Sequence, residues 1–471
     1  MQALDLAYNS LVPKKVWYYF VFLELIAVLS SVLLSCNIAY FLLLAATFLL
    51  LVLLDDKMTL IILIALSTFI NYQNVSILAL WISVVLFILA AILFRVFFRS
   101  CLNQVRTIKS KLNLPLTIFL TITLFNVLRG LFYSYKMSSL ALESFVYLSL
   151  GLIFLVTDVF KSLRDIKNLF NILVLLTIVQ SIYGVTNYLI VGHRIGGTLF
   201  GIIPNMVAIV LLNLSFYSPD RRKRRLYLLL LFPAAVHLIF SFTRGYWFGF
   251  IGGLIFSYAY YVSQRKYKAG GKIFNFLKGL IVVFSISVVI LLSLQFILPG
   301  GNFIQEFTKR FKSSFSASLG RETVSNYARV LEYREAVEKI KEKPVHGFGL
   351  GYRFEYFNPL LLKRESVYAV HNDYLAIILK MGLVGLTVFL WLFYVFFREG
   401  LQAGRRTADP YSKGLIAGFS ANILQILLVG FTNHVIIGVM NTFYLAFAMG
   451  AVVVLSRNEK PREKVEISAI V

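Results

Sequence analysis

A chain of 471 residues that is 59% hydrophobic and only 14% charged lies far from soluble globular proteins, where about 25% of residues are charged, and this composition excludes a water-soluble enzyme. The formal charge of +24 would point to nucleic acid in a soluble chain, but in a polytopic one the same excess marks cytoplasmic loops. Two cysteines, Cys36 and Cys101, expected in loops on opposite sides of a membrane, exclude a disulfide framework.

In chain order, apolar runs at 17–34, 38–54, 58–70, 75–94, 114–134, 139–158, 168–190, 199–217, 226–241, 246–262 and 276–298 predict eleven spans before a long loop at 299–371. Runs at 373–396, 415–431 and 435–455 follow within 372–456, and 457–471 reads as a cytoplasmic tail. The run at 58–70 is short enough to be re-entrant, and Lys14 and Lys15 precede a first span that reads as an uncleaved anchor. The expectation is an all-α polytopic membrane protein of about 12–14 transmembrane helices. With the N-terminus inside, basic clusters alternate onto the cytoplasmic side: Lys161, Arg164 and Lys167, then RRKRR at 221–225, then Arg398, Arg405 and Arg406. The charge is therefore topological, and nucleic acid is not an expected partner.

The 299–371 loop falls outside and is long enough to form a helical extracytoplasmic cap. Phe303, Phe307, Phe311 and Phe315, four apart with cations opposite, predict a helix lying in the headgroup layer. A second helix over 323–343 carries an apolar stripe of Val330, Tyr333, Val337 and Ile340 and a Glu335 to Lys339 pair, and Pro344 ends it. The following HGFGLGYRFEYF, with Gly347, Gly349 and Gly351, predicts a loop whose backbone approaches something closely.

Of the five histidines, His371 stands where the outer loop meets a span. An imidazole there, with an ordinary pKa near ~6.5, suits a general base at the water boundary. For His193, His237, His346 and His434 an ordinary hydrogen-bonding role suffices. Asn372 is placed to cap the helix that begins at Asp373. Isolated arginines on the same side, Arg194, Arg244 before Gly245, and Arg329, could converge on a diphosphate through bidentate bonds. Arg129 and Glu143, inside neighbouring spans, predict a mutual ion pair, and Lys380, about 14 Å along its helix from His371, must face the bundle interior. Neither metal-ligand motifs nor a nucleotide-binding loop is evident, so no metal and no cofactor is expected.

These residues lie in segments that resemble the O-antigen ligase and polymerase superfamily of bacterial envelope glycosyltransferases: RIGGTLFGIIPN at 194–205, SFTRGYWFGFIGG at 241–253, YARVLEYREAVEKIKEKPVHGFGLG at 327–351 and HNDYLAIILKMGLVGL at 371–386. The resemblance implies a GT-C-like fold in the bacterial cytoplasmic (inner) membrane with a periplasmic active site. It implies an undecaprenyl-diphosphate-linked glycan as donor, and lipid A-core (ligase) or another lipid-linked glycan (polymerase) as acceptor. In that frame His371 is the catalytic base, Arg244, Arg329 and Arg194 bind the donor diphosphate, and Asn205, Asn372, Asp373 and Tyr333 are supporting candidates. Lys380 stands where related sequences often carry an acid. A lipid-linked sugar transporter, with Arg129, Glu143 and Lys380 along its path, is the rival reading.

Overall fold

The computed structural model describes residues 110–191, 202–241, 243–264, 321–436 and 441–457, with Lys57 and Ser285. The chain divides into two compact units, residues 1–63 with 70–105 and residues 64–69 with 106–471, and every described residue except Lys57 belongs to the second. The spans expected at 17–34, 38–54, 58–70, 75–94 and 276–298, the Phe303–Phe315 helix, Arg194, His193 and both cysteines lie outside the described residues.

Among the described residues the apolar runs form helices where the sequence places them. They are α1 (Asn113–Phe132), α2 (Met137–Leu148), continued through one 3-10 turn into α3 (Leu152–Val159), α4 (Leu163–Val191), α5 (Ile202–Tyr217), α6 (Arg221–Phe240) and α7 (Arg244–Ser263). After the cap helix α8 (Arg321–Glu342) and a hairpin of β1 (Phe354–Asn358) and β2 (Lys363–Val367) come α9 (Asp373–Arg406), α10 (Pro410–Val429) and α11 (Asn441–Arg457). Five helical stretches, Asn113–Phe132, Met137–Val159, Leu163–Gly184, Asp373–Arg406 and Pro410–Val429, are long and apolar enough to cross a bilayer. α1 leaves Leu114, Phe125, Leu128 and Phe132 exposed, a surface that hydrocarbon rather than water must cover. The protein is an all-α, multi-pass membrane protein.

Start signals are local. Asp409 caps α10 by accepting from the Ser412 amide at 2.9 Å, with Pro410 in the first turn. Asp220 does the same for α6 through the Arg222 amide at 2.8 Å. α5 and α10 run close together because Gly414 and Gly418 lie against Leu214 and Val210, and rings of Phe170, Phe419 and Phe447 fill the space beside them. The basic clusters at the start of α6, the end of α9 and the end of α11 share one end of the bundle. α8, the hairpin and the start of α9 occupy the other.

The intramembrane charges are arranged differently from the expectation. Arg129 does not reach Glu143; its guanidinium donates to the carbonyls of His346 and Gly347, at 2.7 and 2.9 Å, and to Asn126 Oδ1 at 2.9 Å. Glu143 pairs instead with Lys380, 2.6 Å away, and both side chains are buried. Lys380 also donates to the Tyr352 carbonyl, and Glu143 accepts from the Gly351 amide at 2.6 Å. A third helix and a loop, rather than the adjacent hairpin partner, supply the neutralising groups.

That loop, 344–351, is a wedge driven between α1 and α9. α9 is broken at Gly382 (φ 69°, ψ −173°), and the wedge takes up the freed backbone groups. The amides of Phe348 and Gly349 donate to the carbonyls of Leu379 and Lys380, both at 2.9 Å, and the amide of Leu383 donates to the Pro344 carbonyl at 2.9 Å. Irregular backbone at this depth persists only where protein satisfies it. Gly382 is obligatory: a Cβ there would lie 2.1 Å from the Val345 carbonyl oxygen, on a backbone that L residues avoid. Gly382→Ala is expected to destabilise the protein by more than ~1 kcal/mol. A melting temperature in detergent equal to wild type would show that the kink accepts a side chain.

The cap departs from the expectation in two respects. The buried stripe of α8 is Ala328, Glu332 and Ala336, while Val330 and Val337 are exposed; Lys339 pairs with Glu342 at 2.7 Å rather than with Glu335. The small alanines let α8 lie close to β1, whose Phe354 and Tyr356 face it in strict alternation with exposed Glu355 and Phe357. The hairpin, Phe354 opposite Val367 through Asn358 opposite Lys363, was not expected.

Candidate active site

At the cap end, the start of α9 gathers side chains from four segments. Asn372 caps the helix, accepting from the amides of Tyr374 and Leu375 at 3.0 and 3.1 Å, and its own amide donates to the Phe431 carbonyl at 3.1 Å. The cap holds His371 just outside the helix, with its side chain about half exposed. Its Nδ1 lies 2.9 Å from Glu332 Oε2 and 3.2 Å from Oε1, and its backbone amide donates to Oε2 at 3.4 Å. Glu332 is 1% exposed, so an acid on the inner face of α8 has the imidazole as its close partner. A proton on Nδ1 shared with this carboxylate leaves the lone pair on Nε2. Nε2 has no hydrogen-bond partner among the described residues.

Tyr333, next along α8, fixes the same turn: its hydroxyl donates to the His371 carbonyl at 2.6 Å. Burial, only partly offset by Arg329, pushes this phenol up to about 12, so it remains a donor across the physiological range. The backbone and ring of His371 are thus both held by α8.

The arginines approach from two sides. Arg329, one turn before Glu332, reaches Asn433 Oδ1 at 3.4 Å. Arg244, the first residue of α7, donates to Asn326 Oδ1 at 3.1 Å, so both arginines are tied to α8 or its contacts. Gly245 brings the start of α7 against the turn after α10, where a Cβ would lie 2.3 Å from Asn433 Nδ2. Asn433 therefore touches Arg329 and neighbours Arg244. These contacts place Arg244, Arg329, Glu332, Tyr333 and His371 along the middle turns of α8.

Asp373 serves the scaffold beneath. It is fully buried, and Oδ2 accepts from the amides of Val435 and Ile436 at 2.9 and 2.7 Å. Oδ1 lies 3.1 Å from His434 Nδ1, making a second imidazole–carboxylate pair beside the first. Asn205, by contrast, is buried in the first turn of α5, and among the described residues neither of its side-chain polar atoms has a hydrogen-bond partner and no hydrogen bond joins it to the His371 group.

Sequence reasoning missed Glu332, Asn326 and Asn433. The one available signal for Glu332 was its place midway between Ala328 and Ala336, on a four-residue stripe of small residues that marks a closely packed face. Asn433, in the short turn between the runs at 415–431 and 435–455, carried no signal of its own.

No curated protein matches the chain. Residues 226–390, from within α6 through most of α9, match the family model described as O-antigen ligase. The matched stretch contains Arg244, Arg329, Glu332 and His371, so the side chains gathered at the start of α9 lie within the part of this multi-pass membrane protein that is similar to the O-antigen ligase family.

Proposed function

We propose that this protein transfers a glycan from an undecaprenyl-diphosphate carrier to a hydroxyl of lipid A-core, as an O-antigen ligase working at the periplasmic side of the bacterial inner membrane. The observation that carries the reading is the His371 ring, held through Nδ1 by buried Glu332 with Nε2 left available, Glu332 standing on the same helix, α8, that carries Arg329 and binds Arg244 through Asn326, two arginines that cannot lose their charge. The sidedness rests on the basic clusters RRKRR, Arg405 and Arg406, which lie at the end of the bundle away from His371 and would face the cytoplasm.

In this reading the acceptor hydroxyl gives its proton to Nε2 of His371. The hydroxyl oxygen bonds to the anomeric carbon from the face opposite the diphosphate, and the anomeric C–O bond breaks with both electrons moving onto the departing phosphate oxygen. The configuration inverts. Arg244 and Arg329 stabilise the charge that accumulates on the diphosphate, and Glu332 stabilises the imidazolium that forms. The intramembrane charges are engaged by protein groups, Lys380 by Glu143 and Arg129 by loop carbonyls, which favours transfer over a charged transport path.

The test uses the purified full-length protein in detergent with a synthetic undecaprenyl-diphosphate-linked repeat unit and lipid A-core. Mass spectrometry is expected to show the glycan on lipid A-core together with free undecaprenyl diphosphate. Growth of lipid-linked chains without lipid A-core modification would reassign the protein as a polymerase, and no product with either acceptor would end the proposal.

A further inference from the structure

The tip of the β1–β2 hairpin is built against the ordinary logic of a turn. Turns in water favour Gly, Asn, Asp and Ser, yet here Asn358 and Pro359 are followed by three leucines. Leu360, Leu361 and Leu362 are 44, 51 and 80% exposed, and Phe357 on the outer face of β1 is 46% exposed. The tip is nevertheless well defined. Asn358 Oδ1 accepts from the Leu360 amide at 3.0 Å, its carbonyl accepts from the Leu361 amide at 3.2 Å, and its Nδ2 donates to Glu365 Oε2 at 2.7 Å. Leu362 holds a φ of 51°, unusual for a side chain other than glycine, and is the most exposed of the three.

Directly after the leucines come Lys363 and Arg364, both exposed and neither in an ion pair among the described residues. Glu365, next in sequence, accepts from Asn358 and forms no ion pair with either among the described residues. The inner face of the hairpin is already occupied, since Phe354 and Tyr356 are buried toward α8. A rigid apolar tip followed by two uncompensated cations has the composition of an interfacial anchor: leucine and phenylalanine for the acyl boundary, lysine and arginine for lipid phosphates.

We propose that residues 357–364 form a finger that dips into the surface of an anionic phospholipid leaflet, with Phe357, Leu360, Leu361 and Leu362 in the headgroup boundary and Lys363 and Arg364 on lipid phosphates. β2 ends at Val367, four residues before His371, so the depth of the finger in the leaflet sets the height of the turn that carries the imidazole. The proposal rests on exposure and charge alone and stands whether or not the chain is a glycosyltransferase.

The experiment places a nitroxide at Leu361→Cys in the full chain carrying Cys36→Ser and Cys101→Ser, reconstituted into bilayers of phosphatidylethanolamine with phosphatidylglycerol. Collision rates with dissolved oxygen and with a water-soluble nickel chelate report immersion, and a Glu355→Cys label on the outer face of β1 is the aqueous reference. The oxygen-to-nickel ratio is expected to be several-fold higher at 361 than at 355, and to fall when Lys363→Glu and Arg364→Glu are added. Equal ratios at the two positions overturn the proposal. So does spin–spin broadening at 361 that disappears on dilution with unlabelled protein, because a second copy would then cover the tip. If the cysteine-free chain does not fold, Leu361→Trp in the native background answers the same question. Lipids brominated near the glycerol end should quench its added fluorescence, and unquenched fluorescence counts against the finger.

Discussion

His371→Ala is expected to lower turnover by about 10²–10⁴-fold, the usual contribution of a positioned general base, and to lower the melting temperature modestly. The stability half of this prediction follows from Glu332, a buried carboxylate that loses its imidazole partner and keeps only a long bond from the residue 371 amide among the described residues. The ring is about half solvent-accessible, and its removal leaves the Tyr333 bond to the residue 371 carbonyl and the Asn372 cap in place. Glu332→Gln separates positioning from proton transfer. The amide fills the same space and still offers an oxygen to Nδ1, but it cannot stabilise an imidazolium as a carboxylate does. Its expected loss is about 10–100-fold, the scale of orienting partners, falling on kcat and not on KM. A rise in KM alone would place Glu332 in substrate binding. Full activity of His371→Ala in the transfer assay would remove the base from the mechanism altogether.

Lys380→Met is expected to be the most destabilising single substitution among the described residues, at about 3–5 kcal/mol. It leaves Glu143 ionised or forcibly protonated in the bundle interior with only the Gly351 amide for company. The reverse change, Glu143→Leu, should cost a similar amount by stranding the ammonium beside the Tyr352 carbonyl. Changing both residues together should restore most of the lost stability, because well-packed apolar groups commonly replace a buried pair without penalty. Melting of the four proteins in one detergent forms the cycle. Additive losses in the double variant would show that the two charges do not interact as their 2.6 Å separation requires.

The helices were readable because hydropathy is a local property: the run predicted at 139–158 became Met137–Val159, and that at 246–262 became Arg244–Ser263. The position of Asn372 before Asp373 gave the start of α9 for the same reason, since a cap depends on its immediate neighbours. What escaped depends on partners far away in the chain. Arg129 selects carbonyls at His346 and Gly347, more than two hundred residues on, and nothing near Arg129 announces them. From sequence the nearer arginine is the natural partner for Glu143, because depth along two helices does not reveal which faces meet. In α8 the bulkier Val330 and Val337 outweighed Ala328 and Ala336 in the hydropathy pattern, whereas contact with β1 selects for smallness. That reversal hid Glu332, the residue on which the geometry of His371 depends. The hairpin was obscured similarly: FEYF alternates inward and outward as a strand should, but Pro359 and three leucines follow where a polar turn would be sought.

The broken α9 bears on how the protein is made. Residues 344–351 leave the ribosome before 379–384, so the peptide groups that bond across the break at Gly382 enter the bilayer with their mates already synthesised. The kink itself can form only once the earlier segment has folded back beside α1, because that segment takes the carbonyls of Leu379 and Lys380 that the break frees. Docking of the loop and bending of the helix are therefore coupled in biogenesis.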